Sequence, residues 1–214
     1  MAVDPDPRSL LLQKVVTFAA NGGIAGKSLR EIADGVGTSH RMLLYHFGSR
    51  EGLMAAIVGI VEARQRAAMT SMTAEAGTPR ELMMGLWEQV ASPDMRPFVR
   101  LFFEVFGLAA QGVAGTEALL DSLTAPWLDD GVAAGSQLGL RADATAMRLG
   151  VAVTRGLLLD LLAGADKRDV TSAYELFVDL LERSAETATP RSPGIHERQR
   201  GDRQALPKAR VDVA

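Results

Sequence analysis

The chain has 214 residues, 47% hydrophobic and 23% charged, with no cysteine and a net charge of −3. That is enough apolar material for a sizeable core in one or two domains, and it excludes disulfide frameworks, thiolate metal sites and cysteine nucleophiles. The modest negative charge argues against a non-specific nucleic-acid coat, but it is unevenly spread. Residues 1–50 hold six bases and four acids and residues 188–214 six bases and three acids, leaving −8 on residues 51–187. Such a distribution lets one end approach phosphates while the body avoids them.

The N-terminal stretch "MAVDPDPRSLLLQKVV" places aspartates and prolines ahead of a short, interrupted apolar run, so it reads as neither a secretory signal nor an anchor. No run approaches the roughly 20 apolar residues of a membrane span. A cytoplasmic protein with no membrane partner is expected.

Apolar residues recur at spacings of three and four and nothing alternates at period two, so the fold class is all-α, with about nine helices. The first is expected over 8–21, stopped by Gly22-Gly23. The second, 29–36, opens on Ser28 followed by Glu31, a capping box in which hydroxyl and carboxylate each take a backbone N–H. Leu29, Ile32, Ala33 and Val36 make its apolar face, and Gly37 ends it, being able to adopt positive φ without steric cost. Thr38 or Ser39 then caps a third helix, 39–46. Leu43 and Phe47 point inward, leaving His40, Arg41, Met42 and Tyr45 to point elsewhere.

A fourth helix begins after Ser49 and runs without proline into the low 70s; others are expected over 79–91, 95–111, 116–134, 142–164 and 170–187. From residue 188 the composition turns to scattered Pro, Gly and Arg with no apolar stripe. Such a segment cannot bury enough surface to offset its ordering entropy, so 188–214 is expected to be a disordered tail.

Two short helices around a glycine turn, with an alanine four residues before the glycine and a branched apolar residue six after it, make a helix-turn-helix. The stretch "SLREIADGVGTSHRMLLYHFGSREGL", residues 28–53, resembles the DNA-binding segment of the TetR family of bacterial transcriptional regulators. The likeness runs in the order S-x-x-x-I-A, G, S, L, H-F and S-[KR]-E-x-L. It departs at one position: Leu44 follows Leu43 where the family commonly has tyrosine, and the tyrosine here is Tyr45.

The resemblance implies an N-terminal three-helix DNA-binding head, 1–50, on a larger helical effector-binding and dimerising body, 51–187. It implies phosphate contacts from Lys27, Ser28 and Arg50 at helix N-termini, and contacts to bases or sugar-phosphate from Thr38, Ser39, His40, Arg41, Met42 and Tyr45. Arg41 suits guanine O6/N7. His46 is included with this surface, although in the family it packs or caps beside Phe47. The implied partners are a double-stranded DNA operator, a small-molecule effector and a second copy of the chain. No cofactor is expected.

In the body, Phe98, Phe102, Val105, Phe106 and Ala109 form a stripe that reads as core or as a cavity wall. Met83, Met84, Trp87, Phe98, Phe102 and Phe106 suggest an apolar or planar effector, and the expected pocket also takes in Trp127 and Arg155. Glu104, an acid among these, is expected on the solvent face. The last two long helices would pair with a second subunit through Leu158, Leu161, Leu162, Leu176, Phe177, Leu180 and Leu181, Gly156 permitting close approach; the alternative is an intrachain core.

His40 and His46, six apart, are wrongly spaced to share a metal on one helical face, and His196 lies in the tail. No phosphate loop, nucleophile elbow or H-E-x-x-H stands out, so no metal or catalytic site is expected. The reading is a regulator, with repression relieved by an effector. The rival is a helical enzyme or small-molecule carrier whose head is structural only, with Glu104, Arg148, Arg155 and Asp160 as the residues to watch. A third possibility is a regulator controlled by a protein partner.

Overall fold

The computed structural model describes residues 6–187 apart from 23, 25 and 142. The expected disordered tail, His196 and the second glycine of the Gly22-Gly23 stop lie outside the described residues. All regular structure among the described residues is helical. In chain order it comprises α1 (Pro7–Gly22), α2 (Leu29–Val36), α3 (His40–Phe47), α4 (Arg50–Glu75), α5 (Pro79–Val90), a 3-10 turn (Pro93–Met95), α6 (Arg96–Ala110), α7 (Glu117–Ser122), α8 (Ala125–Gln137), α9 (Ala144–Ala163) and α10 (Lys167–Thr187).

The head is built by local rules. Glu31 N–H donates to Ser28 Oγ at 3.3 Å and Ser28 N–H to Glu31 Oε2 at 2.7 Å, so the capping box that starts α2 is closed from both sides. Gly37, at φ 70°, ends α2, and the N–H of Thr38 donates back to the carbonyl of Ala33 at 2.9 Å. A β-carbon at Gly37 would be strained by that conformation alone. Ser39 caps α3 by accepting from Met42 N–H at 3.1 Å, and Ser49 caps α4 by accepting from Gly52 N–H at 2.9 Å.

The buried faces follow helical spacing: Leu12, Val15, Val16 and Ala19 on α1, Leu29, Ile32 and Ala33 on α2, and Leu43 and Phe47 on α3. They converge on Leu53, Met54, Ile57 and Val58 of α4 and on Leu101, Phe102, Val105 and Ala109 of α6. Each Val, Leu, Ile, Met or Phe among them, fully buried, contributes roughly 1.5–3 kcal/mol. The apolar core therefore does not break at residue 50, because α4 and α6 carry it from the head into the body. Where the α6–α7 connection meets the first turn of α4, a β-carbon placed on Gly115 would lie 3.4 Å from the Gly52 Cα, and one on Gly52 would lie 2.3 Å from the Phe47 carbonyl oxygen.

The rest of the body packs around a second core of Trp87, Val99, Leu158, Val170, Tyr174, Phe177, Val178 and Leu181. Trp87 stacks on Tyr174 with ring centroids 4.6 Å apart and donates from Nε1 to Thr171 Oγ1 at 3.1 Å. Phe103 packs against both cores. Arg80 ties α5 to α10 by pairing with Asp179 and with Glu182, the latter at 3.2 Å.

The helix expected over 116–134 is two helices, α7 and α8. Pro126 has no N–H to give a preceding carbonyl and its ring crowds the turn before it, so a continuous helix is disfavoured there. The carbonyl left at the break, that of Leu123, accepts from Arg155 NH2 at 2.6 Å.

Candidate DNA-binding surface and body cavity

α3 stands on the surface of the head with its polar side outward. Arg41 is exposed, Tyr45 is 79% exposed and Met42 41%. Thr38 and His40 are half-buried at the start of this face. Leu43 and Phe47 hold the helix from below, and Arg8 holds its end, donating from Nε to the His46 carbonyl at 3.2 Å with its guanidinium 5.2 Å from the Phe47 ring centroid. His46 is half-buried with its ring edge-on to Tyr45 at 4.9 Å, so it packs between its aromatic neighbours. Leu44, 38% exposed, occupies the same outward surface.

Several expected phosphate ligands are already engaged. Ser28 gives both its N–H and its hydroxyl to Glu31 Oε2, each at 2.7 Å, rather than offering them outward. The same bonds, the hydroxyl's first and the N–H's second, hold the Glu31 carboxyl below the usual carboxylate range. Ser39 is committed to its cap, and the Lys27 ammonium lies 5.9 Å from the Phe18 ring centroid.

Arg50 is engaged as well. Its Nε donates to the Lys27 carbonyl at 2.9 Å, and NH1 and NH2 donate to Glu104 Oε1 at 3.2 and 3.3 Å. The guanidinium is a tie between head and body, not a free fork for phosphate. Glu104 is a correction: it faces the head from α6 and is 30% exposed at the side chain, not turned to solvent. Sequence reasoning also passed over Arg30, exposed on the first turn of α2 and, like Arg41, in none of the described ion pairs.

Inside the body is a cavity of 220 Å³ between α4, α5, α6, α8, α9 and α10. Met83, Trp87, Phe98, Phe102, Trp127 and Arg155 all line it. Phe106 does not: it is 41% exposed, stacked over Phe102 at 6.3 Å. Here Val105 takes the inward position toward the head, and the turn to residue 106 carries the ring out of the body.

The polar members of the wall were largely missed. Glu62 sits on α4 among Ile57, Val58, Val61 and Met69, all lining residues; an acid on an apolar helical face is the signal that could have found it. Its Oε2 accepts from Trp127 Nε1 at 2.6 Å. Burial pushes its carboxyl up, opposed by the Trp127 bond and by the Arg155 and Arg66 charges. Arg155 is drawn the other way by burial, with Glu62 opposing. Its guanidinium donates to Leu123 O and to Thr124 Oγ1, the latter at 3.3 Å, and lies 5.2 Å from the Phe102 centroid.

The expected dimer residues mostly belong to the chain's own core. Leu158, Phe177 and Leu181 are buried, and Leu161 and Leu162 pack half-buried against the same cluster. Leu158, Phe177 and Leu181 also line the body cavity, so these three pack within the chain. Leu180 and Leu176 are exposed, four apart on one face of α10, and Leu149 and Leu159 are exposed on α9.

The residues watched for catalysis are not brought together. Glu104 pairs with Arg50, Arg148 and Asp160 are exposed, and only Arg155 reaches the cavity. Among the described residues no group of three or more His, Cys, Asp or Glu could hold a metal, and no helix is long and apolar enough to cross a membrane.

The outward second helix of a helix-turn-helix is shaped to lie in the major groove of duplex DNA, so the fold is that of a DNA-binding head on a helical body. Residues 17–57 match the family model of the bacterial regulatory proteins, tetR family. The chain is similar over 82% of its length to 97% of a chain described as a TetR-family transcriptional regulator from Rhodococcus sp., with 21% identity and a TM-score of 0.63. It is also similar to a transcriptional regulator from Pseudomonas aeruginosa PAO1 (20% identity, 87% and 95% covered, TM-score 0.58) and to the multidrug binding protein EbrR complexed with imidazole (26% identity, 83% and 90% covered, TM-score 0.57). Among curated proteins no match in sequence was found. Residues 17–57 thus carry the TetR-family pattern, and the described part of the chain has the fold of a TetR-family regulator.

Proposed function

We propose that the protein is a homodimeric repressor, released from a palindromic operator by a small molecule held in the body cavity. Residues 1–50 serve as the DNA-binding head and 51–187 as the effector-binding and dimerising body. The observation that carries this reading is the placement of α4. It is one uninterrupted helix of 26 residues, roughly 39 Å long. Its first turns are part of the head core through Leu53, Met54 and Ile57, and its middle turns line the cavity through Val58, Val61 and Glu62. Whatever fills the cavity presses on the element that seats the head. An effector changes DNA affinity only if it binds one seating better than the other, and a shared wall gives it the means.

Two copies meet through the exposed apolar faces of α9 and α10, with Leu149, Leu159, Leu176 and Leu180 in place of the buried positions. Each head then enters a major groove, with half-sites roughly 34–36 Å apart, through Arg41, Met42 and Tyr45. The test is selection of genomic fragments by the purified chain at low ionic strength, followed by footprinting. An inverted repeat of that spacing is expected. If no duplex sequence is enriched over random fragments, the regulator reading is wrong.

A further inference from the structure

The cavity wall carries two opposite charges that do not meet. Glu62 comes from α4 and Arg155 from α9, and both line the same space, yet they form none of the described ion pairs. Each is steadied separately. Glu62 Oε2 takes the Trp127 indole N–H, whereas the guanidinium is spread over the Leu123 carbonyl, the Thr124 hydroxyl and the Phe102 ring. The other Glu62 oxygen, Oε1, has no hydrogen-bond partner among the described residues, and no described side-chain oxygen is both fully enclosed and unpaired. Oε1 therefore faces open space. The remaining wall is mostly Met, Leu, Val, Phe and Trp.

We propose that the effector is a net-neutral, mainly apolar molecule of one or two rings whose single polar head, a hydroxyl or similar donor–acceptor group, lies between Glu62 and Arg155. This rests on the cavity being the effector site. Size comes from the volume: about 150 Å³ holds benzene, so 220 Å³ takes a ring with a substituent or a fused pair. Neutrality comes from the charge balance. The acid and the base balance one another in a mostly apolar wall, so a ligand anion lying between them would meet Glu62 as well as Arg155, and a ligand cation Arg155 as well as Glu62. A hydroxyl costs neither penalty, since it donates to the carboxylate and accepts from the guanidinium.

Calorimetry with three probes on one skeleton tests this: naphthalene methanol, naphthoate and naphthylmethylammonium, titrated into the full chain at neutral pH. The alcohol is expected to bind at least about tenfold more tightly than either ion. Glu62→Gln leaves the cavity positive and should move the preference to naphthoate; Arg155→Met should move it to the ammonium. Both variants are checked for folding by circular dichroism, and the wild-type order decides on its own if either fails to fold. Tighter binding of an ion by the wild type, equal binding of all three, or no binding of any overturns the proposal. Repeating the titrations on the operator complex separates it from the functional reading. If the head-group order holds while DNA affinity does not change, the ligand class stands and the effector role falls.

Discussion

At the scale of single residues, the DNA-facing surface divides into groups that are free and groups that are spent. Arg41 is exposed, on a helix whose start is pinned by Ser39 and whose end is pinned by Arg8, so its fork can be offered to a base edge with little ordering cost. Replacing Arg41 by Ala should weaken binding to the preferred operator by about 1–3 kcal/mol and flatten discrimination at one base pair. Fluorescence anisotropy on a set of single-position operator variants measures both effects. Glu62 gives a second prediction. Its carboxyl is raised by burial, so above the ordinary glutamate value, roughly pH 4.3, the folded chain keeps a proton that the unfolded chain has released. Stability contributed by the protonated acid is complete below that value and declines as pH rises through the interval. Glu62→Gln retains an acceptor for Trp127, and its melting temperature relative to wild type should rise as pH is raised across that window.

At the scale of elements, the informative contact is between α4 and α6. Arg50 and Glu104 are 54 residues apart in sequence, and the pair is partly shielded, with side chains 24% and 30% exposed. A double-mutant cycle with Arg50→Ala and Glu104→Ala, read by denaturant unfolding, should give a coupling of about 0.5–1 kcal/mol. If Arg50 instead served phosphate, Arg50→Ala would lower the salt dependence of DNA binding by about one ion. On the present geometry that slope is unchanged.

The same comparison shows what could be read from the chain alone. The helix-turn-helix was legible because everything that specifies it is local: the Ser28–Glu31 box, Gly37 and the apolar spacing of α2 and α3 fall within one short stretch. The Arg50–Glu104 tie was invisible because nothing local announces a contact across so many residues. The α7–α8 break was marked by Pro126, which the helical periodicity around it masked. Phe102 and Phe106 share a stripe on paper, but only the three-dimensional path of α6 decides which one meets the cavity. Leu158 and Leu180 likewise differ only in which side of their helix the rest of the chain covers.

At the scale of the molecule, the proposed dimer contact runs through the exposed leucines of α9 and α10. A single charge at its centre should be enough to prevent association, because an unpaired carboxylate cannot be buried cheaply. Leu176→Glu, and separately Leu180→Glu, should leave the helical content intact and turn the dimer into a monomer in sedimentation velocity. Operator affinity should fall together with dimerisation, since one head alone makes half the contacts. A variant that remains dimeric would move the interface elsewhere.

The seam between Gly115 and Gly52 bears on what position 115 can hold. A β-carbon added at Gly115 would meet the Ser49 hydroxyl at 3.3 Å and the Gly52 backbone at 3.4 Å, so the space between the α6–α7 connection and the root of α4 is about one methyl group wide. Any residue larger than alanine at position 115 would press on the root of α4, besides being strained by the left-handed backbone there.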